Sequence, residues 1–177
     1  FDHFGDVSMQ VYDLAAAWEK FRQQRDRHFL REEDGVWTYR RHLNLPIVAA
    51  WEALTSPELK LKWMANVRAI DMVDYPGRIA VGTAYHCAHE LADFVYAVTD
   101  GAPFEYFSTR IADPARKGIW MPETYHLTES DTGTALRYTL GQAFDGDGNR
   151  SEISEQEASG FLAQFWEDCF DIMDREI

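Results

Sequence analysis

Basic residues are scarce in this chain: 17 Lys and Arg stand against 30 Asp and Glu, a formal net charge of −13. Phosphate backbones are held by clustered Lys and Arg, so no nucleic acid partner is expected. An anionic membrane surface is disfavoured for the same reason. Cysteine is nearly absent. Cys87 and Cys169 lie far apart and make no disulfide framework, so the reducing cytoplasm is the default compartment. No apolar run approaches the roughly 20 residues of a membrane span, so no membrane insertion is expected, and no stretch has a signal-peptide pattern. A glycine-rich phosphate cradle is missing too: Gly146 and Gly148 are followed by no Lys and flanked by aspartates. Asp145-Gly146-Asp147-Gly148-Asn149 starts like a calcium loop, but the closing Glu does not fall in place. No Ser sits in a nucleophile elbow. No cofactor and no metal are expected.

What is abundant is aromatic and apolar. Hydrophobic residues make up 46% of the 177, aromatics 14% and charged residues 27%, the composition of one well-buried globular domain. The most strongly patterned stretch is the last, Ser154 to Ile177. Ser154 can cap a helix, and Glu157 three residues on completes a capping box. Apolar residues then recur at Ala158, Phe161, Leu162, Phe165, Trp166, Cys169, Ile172 and Met173, the spacing of one helix face. Glu155, Gln164, Glu167, Asp168, Asp171 and Asp174 take the other face. At about 1.5 Å per residue this helix is on the order of 35 Å long. So aromatic a face calls for a broad apolar partner, and a curved sheet supplies one.

The rest of the chain predicts that sheet. Residues 1–30 read as an N-terminal extension: Val7, Met9 and Val11 alternate as in a strand, and Asp13 can cap a helix carrying Leu14, Trp18 and Phe21. The chain opens on Phe1, not Met, as a fragment of something longer would, and the extension could be the tail of an upstream domain or an element exchanged with a partner chain. A homodimer is therefore one candidate assembly. Residues 31–177 form the domain. Arg31 to Gly35 is a turn and Trp37 to Leu45 a strand. Pro46 opens a helix over Ile47 to Leu54, and Ser56-Pro57-Glu58 caps and starts another that ends near Trp63-Met64. Strands are expected at Val67–Val73, Thr83–Glu90, Phe94–Thr99, Phe104–Ile111, Met121–Thr128 and Thr134–Phe144. Strands following one another without intervening helices imply an antiparallel sheet of six or seven strands, hence an α+β fold.

A strand, two short helices, a run of antiparallel strands and a long C-terminal helix resembles the START-like superfamily of polyketide cyclases, dehydrases and lipid-transport proteins. The likeness is carried by Pro46-Ile47-Val48-Ala49-Ala50-Trp51-Glu52-Ala53-Leu54-Thr55-Ser56-Pro57-Glu58, by Trp63, by Gly82-Thr83 and by Gly133-Thr134-Ala135-Leu136. It covers about Trp37 to the C-terminus. The resemblance implies a helix-grip fold, in which the sheet wraps the long helix and leaves a cavity beneath it. It also implies that Trp51 and Trp63 anchor helices and do no chemistry. Tyr85-His86-Cys87-Ala88-His89 and Pro103-Phe104-Glu105-Tyr106-Phe107 resemble members carried after a nucleotide-cyclase-like domain.

A cavity of that sort is mostly apolar, with a few polar groups that orient a ligand. Strand parity puts Tyr85, Cys87 and His89 on one face. It points Leu136, Tyr138 and Leu140 at the helix, with Met121, Tyr125 and Leu127 also inward and His126 and Arg137 outward. The candidate ligand-binding set is Trp63, Tyr85, His89, Tyr96, Tyr106, Phe165 and Cys169; buried phenols in it need partners that a polar-tipped ligand can supply. The parity of Tyr96 and Tyr106 is open. Cys87 and His89 are the residue types of a zinc site, but Cys169 and His126 are the sole further donors and fit no recognised spacing. As a nucleophilic pair they are disfavoured, since side chains two apart on a strand run parallel. Glu105 and Glu123 are expected on an exposed strand face, and no catalytic residue is assigned. Three function classes stand. The first is non-catalytic binding of a small hydrophobic or amphipathic ligand. The second is a cyclase- or dehydratase-type enzyme using an inward Glu105, Glu123 or His89. The third is a regulatory or interaction module with a filled core.

Overall fold

The computed structural model describes residues 16–20, 23, 28–73, 77–90, 92–152 and 154–177. Val7, Met9, Val11, Asp13, Leu14 and Phe21, on which the expected N-terminal strand and helix rest, lie outside them, as does the side chain of Glu157 in the expected capping box. After a 3-10 turn at Glu32–Asp34 come β1 (Trp37–Leu43), α1 (Ile47–Thr55) and α2 (Pro57–Trp63). Then follow β2 (Val67–Met72), β3 (Ala84–His89), β4 (Asp93–Ala102), β5 (Tyr106–Ala112), β6 (Trp120–Ser130) and β7 (Gly133–Leu140). Two-residue strands β8 (Ala143–Phe144) and β9 (Arg150–Ser151) precede α3 (Glu155–Glu176).

The starts of these elements follow from local chemistry. Pro46 stands before α1, where its missing N–H costs nothing, and Ser56 caps α2 by accepting the Leu59 N–H at 3.2 Å with Pro57 in the first turn. Ser130 and Gly133 close the β6–β7 hairpin, where Gly133 adopts φ +150. A Cβ there would lie 2.1 Å from the Leu43 carbonyl oxygen, so the glycine of Gly133-Thr134 is required by close approach to β1.

All strand pairings are antiparallel, in the order β1-β7-β6-β5-β4-β3-β2, with β8 beside β6 and β9 beside β8. The described sheet therefore has nine strands, not six or seven. The strand expected from Thr134 to Phe144 is split where its register against β6 shifts by one residue, from Glu123 opposite Leu140 to Trp120 opposite Phe144. The ninth strand is Arg150–Ser151, which pairs with β8 just after the Gly/Asp loop.

One face of this sheet holds α3 and the other faces away from it. Phe170 of α3 stacks on Tyr39 of β1, Trp166 packs on Tyr138 of β7 and Tyr125 of β6, and Phe165 meets His89 of β3. A single helix can touch strands that far apart in the order only if the sheet curves around it. The expected stripe of α3 is widened by Phe170, fully buried beside Cys169 and Met173. The acidic flank is not simply solvated. Arg41 of β1 pairs with Glu167 at 2.9 Å and with Asp171, the Tyr39 hydroxyl donates to Glu167, and the Asn44 N–H donates to Asp174 at 2.8 Å. The outer face is covered near its centre by residues 28–30: the Leu30 N–H donates to Thr124 Oγ1 at 3.0 Å, and Phe29 meets the edge of Tyr106.

The second half of α3 is solidly packed and the first half is not. Phe170→Ala should therefore cost about 3–5 kcal/mol, while Phe165→Ala, at a half-buried ring, should cost under half as much. Denaturant titration of both variants checks this, and equal losses would mean that the two halves are packed alike.

Candidate ligand cavity and its buried carboxylate

Between the first half of α3 and the sheet lies a cavity of about 850 Å³. Ala158, Leu162, Phe165 and Trp166 form its helix side; Phe94, Tyr96, Ile111, Met121, Tyr138 and Leu140 form its sheet side. Its mouth is polar and open to solvent, with Glu90, Pro114, Arg116, Glu152 and Asp168 exposed there. Arg116 is already engaged, donating to Asp113 at 2.6 Å and to Ser151 Oγ at 3.1 Å. The mouth is thus net acidic. Asn66 reaches the cavity from the turn between α2 and β2, which it enters in a left-handed conformation (φ 57).

On the cavity wall sits Glu123, only 1% exposed. The alternation that turns Met121, Tyr125 and Leu127 inward turns Glu123 inward with them, so the expectation of an exposed carboxylate was wrong at this position. Burial of a carboxylate is tolerated where donors meet both oxygens. Thr109 Oγ1 donates to Oε1 at 2.5 Å with Tyr125 OH at 3.4 Å, and Tyr138 OH donates to Oε2 at 2.7 Å. Burial pushes the carboxyl pKa up and is the larger effect; the three hydroxyls and the Lys60 ammonium oppose it. Glu105, the other candidate, is exposed in the turn before β5.

Lys60 was not singled out from the sequence, because a Lys between Glu58 and Lys62 on a short helix reads as solvated. It is 0% exposed. Pro57, Lys60 and Trp63 fall on one face of α2, and that face is turned into the core. Lys60 Nζ has no hydrogen-bond partner among the described residues and lies over the rings of Trp63, Tyr85 and Tyr125, 5.0, 5.6 and 5.8 Å from their centroids. Burial pulls its pKa down, with Glu123 among the groups that hold it up.

Cys87 and His89 do meet, contrary to the parallel-side-chain expectation. Sγ lies 3.1 Å from Nε2, and Nδ1 lies 3.2 Å from the Ala65 carbonyl oxygen. A carbonyl can only accept, so the proton is on Nδ1 and Nε2 receives the thiol S–H. Burial raises the Cys87 thiol to about 11 and lowers the His89 pKa. The pair is a neutral thiol and a neutral imidazole, not an activated nucleophile. Among the described residues no group of three or more His, Cys, Asp and Glu side chains is placed to hold a metal ion.

No protein-family model and no curated protein matches this chain. Solved structures do. Ara h 8.0201 superposes with a TM-score of 0.59 at 12% identity over 78% of this chain and 94% of its own. Protein MLL2253 from Mesorhizobium loti gives 0.58 at 23% over 80% and 98%. DynU16, a protein of the dynemicin biosynthetic locus, gives 0.59 at 16% over 78% and 45%. The fold is the helix-grip fold. Identities this low carry the architecture alone.

Within the helix-grip frame the seven residues expected around a ligand separate into three groups. His89, Tyr96 and Phe165 line the cavity. Trp63, Tyr85 and Cys169 are fully buried beside it but do not line it. Trp63 donates its Nε1–H to the Ala53 carbonyl at 2.8 Å and stacks on Phe170. Cys169 accepts the Ala65 N–H at 3.2 Å, and Tyr85 lies behind Tyr96. Tyr106 is on the opposite face of the sheet, its hydroxyl on Asp100 at 2.9 Å; parity on β5 turns Phe107, Thr109 and Ile111 inward instead. No helix among the described residues is long and apolar enough to cross a membrane.

Two measurements follow from the buried groups. Cys169, at about 12, is as suppressed as Cys87, so iodoacetamide at pH 8 should label neither thiol in the folded protein and both in denaturant, as read by mass spectrometry. Fast labelling of the native protein would contradict the buried thiol–imidazole pair. For Glu123 the folded pKa lies above its ordinary value of 4.5. Its neutral form is the one the fold favours, so its contribution is complete below the ordinary value and is lost as pH rises through the folded one. The stability difference between wild type and Glu123→Gln should therefore move toward the variant across that window, by at most about 1.4 kcal/mol per pH unit, and be flat above it. The opposite slope would show that the hydroxyls and Lys60 outweigh burial.

Proposed function

We propose that this protein binds a small, predominantly apolar molecule in the cavity beneath α3, without transforming it. The observation that carries the reading is the cavity itself. About 850 Å³ lies within the range of small-molecule sites, and it is lined by aliphatic and aromatic side chains with a few polar groups at defined points. A module with a filled core would have no such space. The net acidic mouth favours neutral or cationic ligands over anions.

A second reading, acid–base catalysis of the cyclase or dehydratase kind, is favoured by one observation. Glu123 presents a carboxyl with a raised pKa on the cavity wall, hydrogen-bonded to Tyr138. A carboxyl held in that state is equipped to move a proton at a bound carbonyl compound. Under this reading Glu123→Gln would keep binding and lose turnover.

The binding reading is tested with a neutral environment-sensitive dye such as Nile red. Saturable uptake at micromolar concentration is expected, about −8 kcal/mol, and Leu162→Trp, which adds bulk on the helix side of the cavity, should reduce it at least tenfold with the thermal transition retained. Absence of saturable uptake by the wild type, or uptake indifferent to Leu162→Trp, counts against it.

A further inference from the structure

Hydrogen-bond donors outnumber acceptors at the inner end of the cavity. Four tyrosines, Tyr85, Tyr96, Tyr125 and Tyr138, gather around Glu123, and the burial-raised pKa of each is pushed further by its charge. Tyr125 and Tyr138 are committed to that carboxylate. Tyr96 is on the cavity wall, and its hydroxyl makes no hydrogen bond among the described residues. Its ring is stacked on that of Tyr85, centroids 4.8 Å apart and 4° from parallel. The Tyr85 hydroxyl and the Trp166 indole N–H on the helix side of the same wall are both inaccessible and have no hydrogen-bond partner among the described residues. That N–H lies toward the Tyr138 hydroxyl and lowers its pKa, without reaching hydrogen-bonding geometry.

A buried donor left unmet costs about 1–3 kcal/mol, and folded proteins leave few of them. Of these donors the Tyr96 hydroxyl is the one that opens on the cavity, which indicates that its missing acceptor arrives with the cavity's occupant. What kind of acceptor follows from charge and valence. Glu90, Glu152 and Asp168 stand at the mouth without a basic partner among the described residues, so an anion is disfavoured on entry. An alcohol brings a hydrogen of its own, and the Glu123 oxygens already receive three. A carbonyl oxygen brings two lone pairs and no hydrogen.

We infer that the cavity selects an uncharged, largely apolar ligand ending in a carbonyl group, and that the carbonyl oxygen accepts from the Tyr96 hydroxyl, with the Tyr85 hydroxyl and the Trp166 N–H enclosed behind the wall. This rests on the binding reading above and names the ligand class for it.

Three naphthalene probes that differ in one group separate the two ideas: 2-propionylnaphthalene, 2-propylnaphthalene and 2-naphthoate, each titrated calorimetrically. The ketone should bind at least about tenfold more tightly than the hydrocarbon, the worth of one good hydrogen bond, and the carboxylate should bind most weakly. Tyr96→Phe should remove the ketone's advantage over the hydrocarbon. Independently of any variant, the infrared carbonyl stretch of ketone labelled with carbon-13 should move to lower frequency on binding. Equal affinity for ketone and hydrocarbon, an unshifted stretch, or tightest binding by the carboxylate would overturn the inference and leave the binding reading standing. If none of the three binds, both fall together.

Discussion

Phe170 stacks on three rings at once: Tyr39 of the edge strand β1, Trp63 of α2, and Trp166 one turn back on its own helix. Those contacts tie the last element of the chain to the first strand and to the short helices that follow it. The Arg41 clamp on Glu167 and Asp171 holds the same half of α3 from its polar side. With its C-terminal half held so firmly, α3 can pass over the middle of the sheet without filling the space below its first turns. The cavity is a consequence of where the packing is concentrated. Aromatic rings are large and rigid, and where they stack in one half of a core they leave gaps in the other.

Electrostatics set the character of that space. A buried carboxylate and a buried ammonium sit in one apolar core, each displaced from its usual pKa by loss of water. They are stabilised differently. Glu123 has hydroxyl donors on both oxygens, whereas Lys60 has aromatic faces and, among the described residues, no hydrogen bond. Neither arrangement is needed to hold a helix on a sheet; an apolar residue at either site would pack more cheaply. Glu123 stands on the cavity wall and Lys60 in the core beside it, and displaced ionisable groups of this kind concentrate at functional sites.

The thiol–imidazole pair is part of the frame around the cavity. The Ala65 N–H is taken by Cys169 and the Ala65 carbonyl by His89, with Cys87 on the far side of the ring. Three side chains from α3 and β3 thereby hold the turn that leads from α2 into β2. That turn carries Asn66 to the cavity edge, and fixing it defines one rim of the opening.

Much of the fold was legible from local patterns. The apolar spacing of α3, the Ser56-Pro57 cap and the alternation along β3, β6 and β7 all act through residues a few positions apart, so the sequence displays them directly. Alternation alone also carried the inward turn of Glu123; what hid it was the general preference of carboxylates for solvent. Tertiary structure decided the rest, because the rest depends on distances between elements. Whether Trp63 and Cys169 line the space or fill the core beside it turns on which half of α3 lies closer to the sheet. Whether Tyr106 faces in turns on where β5 begins, since a shift of one residue reverses every side chain. The burial of Lys60 is set by the face α2 turns toward β3 and β6. Donors left over around Tyr96 become visible only when every acceptor within reach has been assigned, and no single stretch of sequence contains that count.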